Sequence, residues 1–223
     1  MTLNINSDHK NECNPRHLLF YYMMYWRERR YYMDDAIVHT ILEENEKYIG
    51  TCLKGKRHGF GTQHYEDGFY VGEWKNDQRH GDGMYGELDG TEYHGEWKKG
   101  VRHGYGIHHE PDGSMYDGHW QNDQRHGTGT IRYSDGEMYI GDWQHDERHG
   151  VGTMWYMDQT IYHGTWSRNV RHGSGRCWDE QDRSYHGIWQ DDHCMMEKPV
   201  KDSLVYKDQS QIDPVNEVSR VGQ

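Results

Sequence analysis

Tyr70-Val71-Gly72-Glu73-Trp74-Lys75-Asn76-Asp77-Gln78-Arg79-His80-Gly81-Asp82-Gly83 is the stretch that decides the fold, because its pattern returns down the chain at a fixed interval. Its Arg-His-Gly segment occurs six times, with the histidines at His58, His80, His103, His126, His149 and His172. The first gap is 22 residues and each later one is 23. A period in the range of roughly 20–50 residues marks an array in which each unit buries its apolar face only against its neighbours. Each unit opens with tyrosine, glycine and tryptophan at alternate positions: Tyr70 and Trp74, Tyr93 and Trp97, Tyr116 and Trp120, Tyr139 and Trp143, Tyr162 and Trp166. A first copy starts at Tyr48 with Cys52 in place of the tryptophan. A last half copy, Tyr185 to Trp189, has no Arg-His-Gly after it.

Within residues 70–74 the first, third and fifth side chains point to one side of a β-strand, and Val71 and Glu73 to the other. A second strand is expected from Gly81-Asp82-Gly83, with both glycines on one face. Glycine weakens a strand, but it is found where another group must approach the backbone closely. The expected tenants are aromatic rings of adjacent strands. Lys75–Arg79 reverses the chain, and Asp89-Gly90 supplies the turn into the next unit, since Gly tolerates φ > 0 and Asp accepts local backbone hydrogen bonds. The turn at Asp67-Gly68-Phe69 is one residue shorter. Gln159 and Asp182 replace the turn glycine, which predicts looser turns or another turn type there.

The pattern predicts an all-β repeat array: an elongated, single-layer antiparallel meander of about thirteen strands spaced roughly 4.8 Å apart. Equivalent residues of successive repeats then lie about 10 Å apart, and an aromatic face lines a shallow trough about 60 Å long. With alternate tyrosine, glycine and tryptophan, a polar turn, Gly-x-Gly and Asp-Gly, the sequence resembles the MORN repeat (membrane occupation and recognition nexus) over residues 48–189. The resemblance implies a non-catalytic interaction protein built from β-hairpins. Some MORN proteins carry a methyltransferase or lipid-kinase domain beside the array, but too few residues lie outside the repeats here for either.

Composition agrees once the repeat is known. Leu, Ile, Val and Phe make up only 30 of 223 residues and the formal charge is −12, values that would otherwise indicate disorder. The apolar mass resides instead in 9 Trp and 18 Tyr, each large ring burying about 150–250 Å². Cys13, Cys52, Cys177 and Cys194 have no metal or disulfide spacing and read as reduced thiols. The apolar stretch Leu18–Trp26 is about half of what a bilayer span needs. The array, residues 48–193, carries 15 Lys/Arg against 24 Asp/Glu. That balance excludes nucleic acid, which selects a basic face, and disfavours acidic phospholipid.

The flanks are residues 1–47 and 194–223. The first pairs an aromatic group (Leu18 to Trp26) with Arg27-Glu28-Arg29-Arg30. A helix start at Asp34-Asp35 then precedes Ala36, Ile37, Val38, Ile41 and Leu42. A short helical cap over the first strand is expected, with a partner- or membrane-binding helix as the alternative. The second flank reads as a flexible polar tail.

No catalytic, cofactor or metal site is expected. The histidine ladder tempts one toward zinc, but ligands must sit about 2.0–2.1 Å from the ion and consecutive rungs are expected about 10 Å apart. Gly-x-Gly without a βαβ unit is a sheet device and not a dinucleotide fingerprint. Asp and Glu at turns and opposite the rings read as solvated charge. The candidate partner-binding trough, which doubles as the sheet core, comprises Tyr70, Trp74, Tyr93, Trp97, Tyr116, Trp120, Tyr139, Trp143, Tyr162, Trp166, Tyr185 and Trp189. A partner helix laid along it, or the chain's own C-terminal tail in cis, is the expected occupant. Among MORN proteins the chain looks most like the radial-spoke-head type, through its Asn-Asp-Gln-Arg-His-Gly segments at 76–81 and 122–127. That likeness implies axonemal partner subunits and a place in the cytoplasm, in a cilium or flagellum. The alternative is a membrane-proximal or cytosolic adaptor.

Overall fold

The computed structural model describes residues 37–42, 47–181 and 183–200. They form one antiparallel sheet. Its strands are β1 (Ile37–Leu42), β2 (Lys47–Leu53), β3 (Lys56–His64), β4 (Gly68–Lys75) and β5 (Gln78–Glu87). Then come β6 (Glu92–Lys98), β7 (Val101–His109), β8 (Met115–Gln121), β9 (Gln124–Arg132) and β10 (Met138–Gln144). The last are β11 (Glu147–Trp155), β12 (Ile161–Ser167), β13 (Val170–Trp178), β14 (Ser184–Gln190) and β15 (His193–Val200). Their order across the 15-stranded sheet is their order in the chain. Each repeat is therefore one hairpin, such as β4–β5, paired to the hairpins before and after it.

The reversal expected over Lys75–Arg79 narrows to two residues, Asn76 and Asp77, with φ of 52° and 67°. Two positive φ values make the type I′ turn, whose twist matches that of the flanking strands. The same signature recurs at Asn122-Asp123 (53°, 67°), His145-Asp146 (52°, 67°) and Arg168-Asn169 (50°, 70°). β5 accordingly starts at Gln78, ahead of the expected Gly81.

Gly81 has a different task from the one its spacing suggests. The register steps from Gly72↔Gly83 to Glu73↔His80, leaving Gly81 and Asp82 as extra residues in a bulge. Gly81 takes φ 56°, a left-handed value that glycine adopts without a steric penalty. The bulge shifts the facing, so Gly83, and not Gly81, lies opposite Gly72 under the rings.

Between repeats, Gly90 (φ 99°) closes its turn by donating to the Glu87 carbonyl at 3.2 Å, and the Asp89 side chain accepts the Thr91 amide at 2.8 Å. Gln159 corrects an expectation. It adopts φ 67° in the glycine's place and keeps the same bonds, Gln159 N–H to Tyr156 O at 3.1 Å and Thr160 N–H to Asp158 Oδ1 at 2.9 Å. The turn type survives because its neighbours hold it. Asp182 lies outside the described residues.

Two strands exceed the thirteen expected. Residues 37–42 are not part of a helical flank; they form β1, paired from Ile37↔Cys52 to Leu42↔Lys47. Four of its six residues are β-branched and suit a strand. Residues 194–200, expected in the polar tail, belong to β15 and complete the last half copy as a seventh hairpin through Asp191-Asp192. The rest of the expected helical cap and tail, residues 1–36, 43–46 and 201–223, lies outside the described residues. No helix occurs among the described residues.

Candidate functional site

The ring-bearing face is built by one tyrosine per repeat. Tyr70 lies along its own strand above Gly72 and the cross-strand Gly83, so closely that a Cβ on either would collide with the phenol. Its hydroxyl donates to the Glu73 carbonyl at 2.9 Å. Tyr93, Tyr116, Tyr139 and Tyr162 repeat the bond three residues ahead, each at 3.0 Å. Tryptophan links hairpins. The Trp97 indole N–H donates back to the Gly83 carbonyl at 3.1 Å, Trp120 to Gly106 at 3.1 Å and Trp166 to Gly152 at 3.2 Å. Each tyrosine thus sits edge-to-face between two indoles: Tyr93 is 5.1 Å from Trp97 and 5.5 Å from Trp120, both at 88°. Such pairs add roughly 0.5–1.5 kcal/mol each beyond burial.

Arginine covers the layer. In the first five copies the guanidinium of Arg-His-Gly lies over the next repeat's indole, for example Arg79 over Trp97 at 4.1 Å, Arg102 over Trp120 at 4.2 Å and Arg125 over Trp143 at 4.5 Å. Each is pinned by the following type I′ turn. Arg102 donates from Nη2 to the Asp123 carbonyl at 3.0 Å and from its backbone amide to Asp123 Oδ1 at 2.8 Å, while the Asp123 amide returns a bond to the Arg102 carbonyl at 3.0 Å. Arg125 with Asp146 and Arg171 with Asp192 are alike, and Asn169 serves Arg148.

The six repeats match a family model for the MORN repeat at residues 48–68, 70–86, 93–115, 116–138, 139–161 and 162–183. The chain belongs to the MORN-repeat family. MORN repeats in general mediate protein or lipid interactions as non-enzymatic modules. No curated protein matches the chain. Among solved structures it is similar to the TCP domain of SAS-4 (dCPAP) in complex with a proline-rich motif of Ana2 (dSTIL), from Drosophila melanogaster. The identity is 6% and the TM-score 0.36, over 78% of this chain and 95% of that one. A likeness at that level carries no argument about fold or function.

In this MORN array eleven of the twelve trough candidates are buried, from Tyr70, Tyr139 and Tyr162 at 0% exposure to Trp120 at 5%; Tyr185 is half-buried. They form one cluster, to which Tyr65, Tyr85, Tyr133 and Tyr156 add a half-buried second row. A partner on this face therefore meets guanidinium edges, turn carboxylates and second-row phenols before it meets the layer beneath. Burial raises the phenol pKa of Tyr93, Tyr116, Tyr139 and Tyr162 well above its ordinary value. Tyr85 is pushed up to about 12 by burial and its bond to Glu87.

Sequence reasoning missed three features. The arginine lid was hidden inside a triplet read chiefly for its histidine, although the arginine recurs in all six copies. Acidic residues opposite the rings are not all plain surface charge: Glu96 accepts the Tyr105 amide and Asp142 the Val151 amide, each at 2.8 Å, tying down the bulges. A second cluster, Met138, Trp155, Ile161 and Trp178, packs across strands on the other face. Of the ladder histidines, His126 meets His145 edge-on at 5.5 Å. Among the described residues no three His, Cys, Asp or Glu side chains converge as a metal ion would require.

Proposed function

We propose that this chain is a non-catalytic scaffold that holds other protein subunits along the arginine-lidded face of its sheet. One observation carries the reading. The residues that recur most strictly are consumed in making a regular sheet, and what they leave outward is an arginine clasped to the following turn in every copy. The clasp is made by aspartate at Arg57, Arg102, Arg125 and Arg171, by Asn169 at Arg148 and by the Gly100 carbonyl at Arg79. Evenly repeated polar sites on a stiff sheet suit a partner that touches several units at once, because linked contacts raise avidity without any strong single site. The partner's rim would be polar and mixed in charge, as the clasps are.

The finer proposal is a ciliary or flagellar axonemal assembly such as the radial spoke head. It rests on the two Asn-Asp-Gln-Arg-His-Gly segments and on the resemblance they carry. Proximity labelling in ciliated and non-ciliated cells tests it: recovery of axonemal subunits only in the former is expected, and a membrane or vesicle proteome in both would overturn it. Flotation with anionic liposomes tests the adaptor alternative. The net negative array predicts no salt-sensitive binding.

A further inference from the structure

The second row has a gap. Eight residues past the arginine stand Tyr65, Tyr133 and Tyr156, all packed on the ring cluster. In the second repeat Glu87 takes that position, and Tyr85, two residues earlier, supplies the ring instead. Tyr85 lies 6.4 Å from Trp97 with Arg79 5.2 Å above it, and its hydroxyl donates to Glu87 at 2.8 Å. In the third and sixth repeats both positions lack a phenol; the sixth holds Cys177 and Asp179. The third holds His108, whose smaller ring meets Trp120 edge-on at 5.7 Å as Tyr85 meets Trp97, and the half-exposed Glu110, whose side chain meets His108 at 3.2 Å. Here the surface opens into a cavity of about 180 Å³ bounded by Arg102, Arg125, His108, Glu110, Tyr116 and Trp120. For scale, a protein cavity of about 150 Å³ takes up benzene.

We propose that this cavity is a seat for one tyrosine side chain of a partner protein. The array itself shows what fits: Tyr156 occupies the equivalent place in the fifth repeat, with Arg148 and Arg171 acting on it as Arg102 and Arg125 would act on the incoming ring. Trp120 and Tyr116 offer edge and face contacts to the ring, the guanidinium groups offer cation–π contacts, and the Glu110 carboxylate is placed to accept the phenol O–H. The inference deepens the scaffold reading, on which it rests for the source of the ring, by giving the face an anchoring point that the four repeats carrying a phenol in this row do not offer. A single buried aromatic anchor fixes register along a repetitive surface, which the clasps alone leave free to slip by one hairpin.

The test needs no partner. The full chain, labelled at tryptophan and histidine, is titrated with p-cresol and followed by NMR. Saturable shifts of the Trp120 indole and His108 ring signals are expected, with Kd on the order of 1 mM. Glu110→Tyr places a ring in the seat in cis; it is expected to raise the melting temperature and weaken p-cresol at least about tenfold. Glu110→Ala leaves the seat open and removes only the acceptor, so it should weaken p-cresol by less than Glu110→Tyr does, about threefold to tenfold. Shifts that stay linear to about 20 mM, or equal binding by Glu110→Tyr and the native chain, would overturn the seat. So would equal loss in both variants, since the carboxylate and not the shape would then be the ligand. Any of these results leaves the scaffold reading intact, and failure to recover axonemal subunits leaves the seat intact.

Discussion

Gly106 illustrates how tightly the residue scale is constrained. Its Cα faces Gly95 across the strands, and Tyr93 lies on both. The phenol cannot lift, because its hydroxyl is bonded to Glu96 and its ring is wedged between two indoles. Gly106→Ala should therefore cost about 3 kcal/mol, the upper range for overpacking, read as a lowered denaturation midpoint. Arg102 is constrained by shape as much as by charge. A lysine keeps the charge but has neither the fork that reaches the Asp123 carbonyl nor a plane to stack on Trp120. Arg102→Lys should lose about 1–2 kcal/mol. Equal stability of the two proteins in thermal denaturation would show that charge alone suffices.

At the scale of the hairpin, two kinds of turn alternate and each has its own chemistry. The type I′ turns at 76–77, 122–123, 145–146, 168–169 and 191–192 hold Asn, His, Arg and Asp at positive φ, and the aspartate or asparagine at the second position is also the arginine's clamp; after Lys54 and Lys99 that position is glycine. The turns between repeats carry no such duty, and glycine serves them best. Gln159 is the exception, held at φ 67° by its neighbours. A non-glycine residue in that region costs roughly 1–2 kcal/mol, partly offset by the looser unfolded chain that glycine brings. Gln159→Gly should accordingly stabilise the chain by about 1 kcal/mol, measurable as a raised urea midpoint. No gain would mean that the side chain makes contacts that offset its backbone cost.

The whole sheet depends on neutral phenols. Tyr48, Tyr93, Tyr116, Tyr139 and Tyr162 have pKa values raised by burial, and Tyr85 is raised to about 12. In the unfolded chain these groups ionise near pH 10. Above that pH the folded state holds more protons than the unfolded one, so stability is full below pH 10 and falls as pH rises through the window between the two pKa values. Each such tyrosine contributes a slope of up to about 1.4 kcal/mol per pH unit. A fall in the denaturant midpoint between pH 9 and 11, steeper than one titrating group produces, is expected. Absorbance should report phenolate only as the sheet unfolds. A gradual phenolate signal from a folded chain would contradict the buried layer.

The regularity of the chain made most of this architecture readable in advance. Six copies in register fix the strand pairing, because a slip by one residue would put every tyrosine and tryptophan on the opposite face. The ring layer, the close approach over glycine and the absence of crossover connections all follow from that period. What the string of residues left open depends on where the chain doubles back. The bulge that gives Gly81 a left-handed role, the arginine reaching across to a turn 21 residues on, and the recruitment of 37–42 and 194–200 as strands are long-range pairings. No local pattern specifies them. The cavity in the third repeat is decided in the same way. His108 and Glu110 are ordinary residues in the sequence, and they become a gap only because the neighbouring hairpins place phenols where this one does not.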